Sequence, residues 1–268
     1  VIFLWLKRSI ILGVEKDEKQ IVEMLKQEAS RKSPSNIIYL DSKSTFDFKM
    51  VNSEPNLIKF HERLISSAGQ KNFSVLLYGP PGTGKSFYIR KLAAEIGFEC
   101  IEKKASELLN SYSGQTEKAI ANTFLEARER KAFLLFDEID SLISARNSED
   151  AGSEKSKVNE MLTWIDDHPY PIAATTNFID GIDSAAERRF LFKIKLDYLK
   201  PEQISYACST IFGFEPTKEI LQNTKLTPAF FYKIKKKASV FGIDNKKDII
   251  DLIMEEREFS NVKKFGFV

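Results

Sequence analysis

Eight consecutive residues, Gly79-Pro80-Pro81-Gly82-Thr83-Gly84-Lys85-Ser86, have the types and spacing to hold phosphate. They fit G-x-x-x-x-G-K-[ST] at every position. The glycines let backbone N–H groups turn inward around an anion, and a helix opening at the end of the run adds partial positive charge there. In such a loop Lys85 reaches the β and γ phosphates of a nucleotide and Ser86 ligates Mg2+. An apolar run, Val75–Tyr78, leads in as a strand, and Ser86–Ile96 leads out as a helix, which sets the loop apart from an ordinary Gly/Pro turn. The guanine-reading string N-K-x-D is expected to be absent, so ATP is favoured over GTP.

A second constellation follows. Phe133-Leu134-Leu135-Phe136 is an apolar strand that ends in Asp137-Glu138. Ligands of open α/β sheets sit beyond the carboxyl ends of the strands. Asp137 is therefore expected to hold the Mg2+ shell, and Glu138 to orient and deprotonate an attacking water.

The elements that must position these groups alternate. Strands are predicted at Phe98–Glu102, Ala132–Phe136, Ile172–Thr175 and Phe190–Leu196, with helices at 56–68, Gly114–Arg130, Ser156–Ile165 and Ile182–Arg188. Unbroken apolar strands alternating with helices imply a parallel sheet covered on both faces. After Pro201 the strands stop, and Glu202–Phe212, Pro228–Phe241 and Asp244–Phe259 read as helices. The expected architecture is an α/β domain over 46–199, followed by a small α-helical lid over 200–268. Thr227 and Pro228 are expected to cap and start the main lid helix. Residues 1–45, with a helix at Glu15–Ala29, read as part of, or a linker from, an upstream region. The chain starts at Val1, which reads as a piece of something longer.

With these residues in view, the chain resembles the AAA family of the AAA+ ATPases, the group that includes spastin, katanin and bacterial proteins with a C-terminal AAA module. GPPGTGKS (79–86), the stretch Leu108–Lys118, FDEIDSL (136–142), Thr175-Thr176-Asn177 and Asp183–Phe190 carry the resemblance. It implies a parallel αβα sheet domain with a helical lid and Mg-dependent ATP hydrolysis. It makes Asn177 the polar sensor near the γ-phosphate. It makes Arg188 and Arg189 arginine fingers that act on ATP held by the next subunit of a homo-oligomer, expected to be a hexamer. It makes Tyr112 the aromatic of a central pore loop that grips a protein substrate. Glu187 stands where some relatives carry a further Arg, and Ser111 and Ser113 flank Tyr112 where Lys and Val are frequent.

The remaining features exclude more than they add. Net charge is +2, which gives no strong field toward nucleic acid or a membrane. The apolar start, Val1–Leu6, is broken by Lys7 and Arg8 and is too short to span a bilayer. Cys100 and Cys208 have no metal-binding spacing, so a reducing cytoplasm is expected. His61-Glu62 opens like H-E-x-x-H, but Ile65 stands at the second His, which excludes that zinc site. His168 is expected to be exposed in an Asp/Pro-rich turn, and Lys233–Lys237 to form a solvated helix face. Among functions, a ring-forming protein remodelling motor is favoured. The rivals are a nucleotide-gated assembly or switch ATPase and a DNA-directed clamp-loader type. Near-zero net charge and the aromatic at Tyr112 argue against the last; intact Asp137, Glu138 and Asn177 argue against weak turnover.

Overall fold

The computed structural model describes residues 47–67, 72–108, 115–140, 161–178, 187–222 and 225–262. The expected N-terminal segment 1–45, Tyr112, the start of the helix expected at Ser156 and most of the short helix expected at Ile182 lie outside them.

Among the described residues six strands build one sheet: β1 (Asn52–Glu54), β2 (Ser74–Tyr78), β3 (Cys100–Lys104), β4 (Phe133–Asp137), β5 (Ile172–Thr176) and β6 (Phe192–Asp197). Their spatial order is β1-β6-β2-β5-β4-β3. All neighbours are parallel except β1, which pairs antiparallel with β6. β2 thus lies between β5 and β6, with Leu77 opposite both Thr175 and Ile194. The strand period of two divides the apolar runs between two cores. Leu76, Leu134, Phe136 and Ala174 face one side; Val75, Leu77, Phe133, Leu135 and Ala173 face the other.

Helices seal both faces. α1 (Leu57–Ser66) and α2 (Lys85–Glu95) contribute Leu57, Ile89 and Leu92 to the second core. α3 (Ala105–Leu108), α4 (Gln115–Glu129) and the helical residues 161–167 contribute Leu108, Ile120, Phe124 and Ile165 to the first. Each fully buried Leu or Ile contributes on the order of 2 kcal/mol. β1 was not expected: Asn-Ser-Glu carries no apolar alternation, and its pairing with β6 is what makes it a strand.

The helical region that follows comprises α5 (Pro201–Phe212), α6 (Lys218–Leu221), α7 (Pro228–Phe241) and α8 (Lys246–Val262). Pro201 at the first turn and Gly213 at the C-cap, in the left-handed region, bound α5. Ile204, Cys208, Phe231, Ile234 and Ile253 form its core, which Met50, at the end of the short 3-10 helix Phe48–Met50, and Leu199 join from outside these four helices.

Three expectations are corrected here. Lys233–Lys237 is not simply a solvated face: Ile234 is fully buried, and Lys233 and Lys237 both pair with the buried carboxylate of Glu256 on α8. Thr227 sits at the N-cap of α7, but its side chain makes no capping hydrogen bond. His168 is buried at 3% exposure, enclosed by the rings of Phe124 and Tyr170. Its Nε2 has no hydrogen-bond partner among the described residues. Burial, with the Arg128 charge adding to it, lowers its pKa from 6.5 to about 4. Between those values the unfolded chain takes up the proton first, so this contribution to stability is complete above pH 6.5 and is lost as pH falls toward 4. Urea unfolding at pH 7 and pH 4 is expected to show an acid loss of about 3 kcal/mol at most from this residue. His168→Phe is expected to flatten that limb of the profile.

Candidate nucleotide site

The loop expected to hold phosphate runs from the end of β2 into α2, at the carboxyl edge of the sheet. Gly79 has φ 129°, and a Cβ there would lie 1.8 Å from the Leu196 carbonyl oxygen of β6. Only glycine lets the chain leave β2 this close to its neighbour. Gly84, with φ 97°, occupies the N-cap of α2, which has no side-chain cap and no acidic residue in its first turn. The partial positive charge at the amino end of that helix lies beside the loop, where an anion would sit.

Lys85 is 7% exposed, and its Nζ donates to Gly79 O at 2.7 Å, Pro80 O at 3.0 Å and Asn177 Oδ1 at 2.9 Å. Its three donors thus meet three neutral oxygens. Desolvation lowers its pKa to about 8, against the opposing pull of Asp137, Asp140 and Glu138. The Ser86 hydroxyl donates to Asp137 Oδ1. Two hard oxygens from neighbouring elements meet there, the donor set that suits Mg2+. Glu138 follows at φ 57°, a left-handed conformation rare for a residue with a side chain. Its N–H is tied to Thr175 Oγ1 at 3.1 Å, and its side chain is exposed. Lys85, Ser86, Asp137, Glu138 and Asn177 all line one cavity of about 230 Å³, together with Pro81, Gly82 and Gly84.

A larger cavity of about 560 Å³ adjoins it through Gly82 and Gly84, with Thr83 in its wall. Asp47, Val51, Ile211 and Tyr232 line its far side. The helical region closes on the loop directly: Ala229 N–H, in the first turn of α7, donates to Gly82 O at 3.1 Å. A Cβ on Gly82 would lie 2.9 Å from Thr227 Oγ1. The loop carbonyl thus receives a helix N–H that the Thr227 side chain does not cap.

Sequence reasoning missed two residues of the site. Thr175 Oγ1 donates to Asp137 Oδ1 and accepts from Glu138 N–H, so one hydroxyl orients both acids. Asp140 bonds the Thr176 hydroxyl and accepts from Asn177 N–H at 3.2 Å, which fixes the strand end that carries Asn177. Adjacency of β4 and β5 was the signal, and only the sheet order reveals it. The expected absence of a guanine-reading string does not hold. The string N-K-x-D does occur, as Asn245-Lys246-Lys247-Asp248. There Asp248 N–H donates to Asn245 Oδ1 at 3.0 Å and Asn245 Nδ2 to Asp248 Oδ2 at 2.7 Å. It is the capped start of α8 and lines neither cavity.

Arg188 and Arg189 are not at this site. They precede β6, whose Phe192 pairs with Val75, and Arg189 O accepts from the hydroxyl of Ser74, the first residue of β2. At roughly 3.3 Å per residue, the length of β2 puts them on the order of 15 Å from the phosphate loop, at the opposite edge of the sheet.

The glycine-shaped cradle, the desolvated ammonium and the paired hard oxygens fit a magnesium nucleotide and define a P-loop nucleotide-binding protein. Residues 75–198 match the model of the ATPase family associated with various cellular activities (AAA). The chain belongs to the AAA family of AAA+ ATPases. It is 42% identical over 109 residues to the peroxisomal ATPase PEX6 of Arabidopsis thaliana, covering 40% of this chain and 12% of that protein. It is 32% identical over 213 residues to the peroxisomal ATPase pex6 of Schizosaccharomyces pombe, covering 72% of this chain and 22% of that protein. The chain therefore spans less than a quarter of either relative. The crystal structure of the FIGL-1 AAA domain in complex with ADP shares the fold, with a TM-score of 0.51 at 24% identity over 75% of each chain.

Thr175→Val keeps the shape of the site and removes its bifunctional hydroxyl. It is expected to weaken magnesium-nucleotide binding roughly tenfold through two lost hydrogen bonds. Titration with a fluorescent ATP analogue checks this, beside a thermal melt expected to fall by only a few degrees for the unpaired Glu138 N–H.

Proposed function

We propose that the chain is the ATP-hydrolysing motor module of a ring-forming machine that remodels, unfolds or disassembles protein. The observation that carries the reading is the convergence of Lys85, Ser86, Asp137, Glu138 and Asn177 on one cavity beyond the sheet's carboxyl edge. Gly79, Pro80, Pro81, Gly82, Thr83 and Gly84 wrap the phosphates with backbone N–H groups. Lys85 neutralises phosphate charge, with Asn177 steering its ammonium. Ser86 and Asp137 hold Mg2+, which neutralises negative charge on the phosphates when bound. Glu138 accepts a proton from the attacking water; its carboxylate lies at the cavity wall and its backbone is held by Thr175. The larger cavity takes base and ribose, between the 46–199 sheet domain and the 200–268 lid.

Arg188 and Arg189 are too far from their own phosphate loop to act on it, which supports a role in trans and hence a homo-oligomer, read here as a hexamer. Tyr112 is assigned to a pore loop that grips extended polypeptide, from its place in the family pattern. No helix among the described residues is long and apolar enough to cross a membrane. Cys100 and Cys208 are free thiols, which suits a cytoplasmic setting.

Two variants separate binding from turnover. Lys85→Ala is expected to lose nucleotide binding. Glu138→Gln is expected to bind ATP as the wild type does, to release ADP at least a hundredfold more slowly, and to grow in mass by light scattering when ATP is added. Glu138→Gln that turns over at the wild-type rate, or stays monomeric with saturating ATP at high protein concentration, would contradict the proposal.

A further inference from the structure

The 3-10 turn Phe48–Met50 divides its side chains between two cores: Phe48 packs against the second core of the sheet, and Met50 belongs to the core of the helical region. Asp47, which caps the turn, and Met50 stand three residues apart, the spacing that brings side chains onto one side of a 3-10 turn. Both line the cavity of about 560 Å³, and so does Val51. The helical region ties this side of the turn. The Tyr206 hydroxyl donates to Asp47 Oδ2 at 2.8 Å, and Gln203 Nε2 donates to Val51 O at 2.7 Å. Phe48 points the other way. Its ring centre lies 4.8 Å from that of His61 on α1 and 6.1 Å from that of Tyr88 on α2, and the Lys91 ammonium stands 5.9 Å over it. His61 is buried at 7% exposure, with its ring edge-on to Tyr88 at 5.8 Å. Glu95, the last residue of α2, accepts from His61 Nε2 at 2.8 Å, and its other oxygen is held by Lys91.

We propose that Phe48 and His61 are positioning residues for the wall that receives base and ribose: the His61 ring, fixed by Glu95, sets the place of Phe48, and Phe48 sets that of Asp47, Met50 and Val51. The inference rests on the reading of the larger cavity given above. A single 3-10 turn has little rigidity of its own. Two backbone hydrogen bonds close this one, Met50 N–H to Asp47 O at 3.0 Å and Val51 N–H to Phe48 O at 3.2 Å. What flanks it must therefore fix it. The bonds from Tyr206 and Gln203 tie it to α5 and let it follow the helical region. The aromatic cluster ties it to α2, the helix that begins at Lys85 and ends at Glu95. Rings packed edge to face hold a preferred geometry, and the ammonium over Phe48 adds to it. The wall is thus registered against the helix that carries the phosphate-loop lysine, so the two ends of a nucleotide meet surfaces at a spacing set in advance. Ordering that is already in place is not paid again on binding.

The test is steady-state ATP hydrolysis by the full chain, with ADP and methyl triphosphate as competitive inhibitors. Methyl triphosphate carries the phosphates of ATP without the nucleoside, so it engages the phosphate loop alone. Phe48→Ala is expected to raise KM for ATP and Ki for ADP about tenfold at constant kcat, and to leave Ki for methyl triphosphate unchanged. His61→Ala is expected to do the same roughly five- to tenfold. His61→Gln, which keeps a donor for Glu95 but no ring, should match His61→Ala, and His61→Phe, which keeps the ring, should stay within about threefold of the wild type. The Phe48→Ala/His61→Ala double variant should be no worse than Phe48→Ala alone, because His61 acts through Phe48. A merely loosened fold would raise all three constants together. That result, wild-type constants in Phe48→Ala, or losses that multiply in the double variant would overturn the proposal. A wild-type chain that binds methyl triphosphate as tightly as ATP would overturn the reading of the larger cavity itself, and this inference with it.

Discussion

The site is organised around a buried ammonium. Lys85 is held beneath its loop by two backbone carbonyls and the Asn177 amide oxygen, with its charge largely removed from water. Burial lowers its pKa, and Asp137, Asp140 and Glu138 pull the other way. A cation kept this dry is electrostatically strong toward any anion that reaches it, because little water competes. The neighbouring arrangements serve that charge: glycines that clear the way, a helix with an uncapped N-terminus, and acids held on the next strands by threonine hydroxyls.

The sheet order converts strand ends into a site. β5 lies between β2 and β4, so the hydroxyl of Thr175 reaches the acids of β4 while Asn177 reaches the lysine that follows β2. The same loop is read from its other side by the helical region, through Ala229 N–H on Gly82 O. A change at the phosphates therefore has a direct backbone path to α7, and from there to Glu256 on α8 through Lys233 and Lys237. That path is physical contact, and coupling along it requires that the loop and the helix move together.

The phosphate loop and the acidic strand end were legible because their chemistry is local. Glycine, lysine and serine act there through a contiguous backbone, so spacing alone specifies the job. Thr175 and Asp140 were illegible because their partners lie 36 to 38 residues away and meet them only across strands. The short β1 carries no apolar alternation and exists through its pairing with β6. His168 sits in a Pro-containing turn that reads as surface, yet Phe124 and Tyr170 close over it. In the lysine run, Glu256 recruits two of the four lysines from another helix, a contact that helical spacing along one segment does not encode. Asn245–Asp248 shows the converse: four residues match a base-reading string and serve only to cap a helix.

The arginines before β6 are proposed to complete a site on another copy of the chain. Specific ATPase rate measured against protein concentration tests it most directly. The expected result is a rate per subunit that climbs with concentration and levels off as assembly saturates. A rate that is flat from the lowest measurable concentration upward, in a protein shown to be monomeric throughout, would mean a self-contained ATPase and would contradict the account.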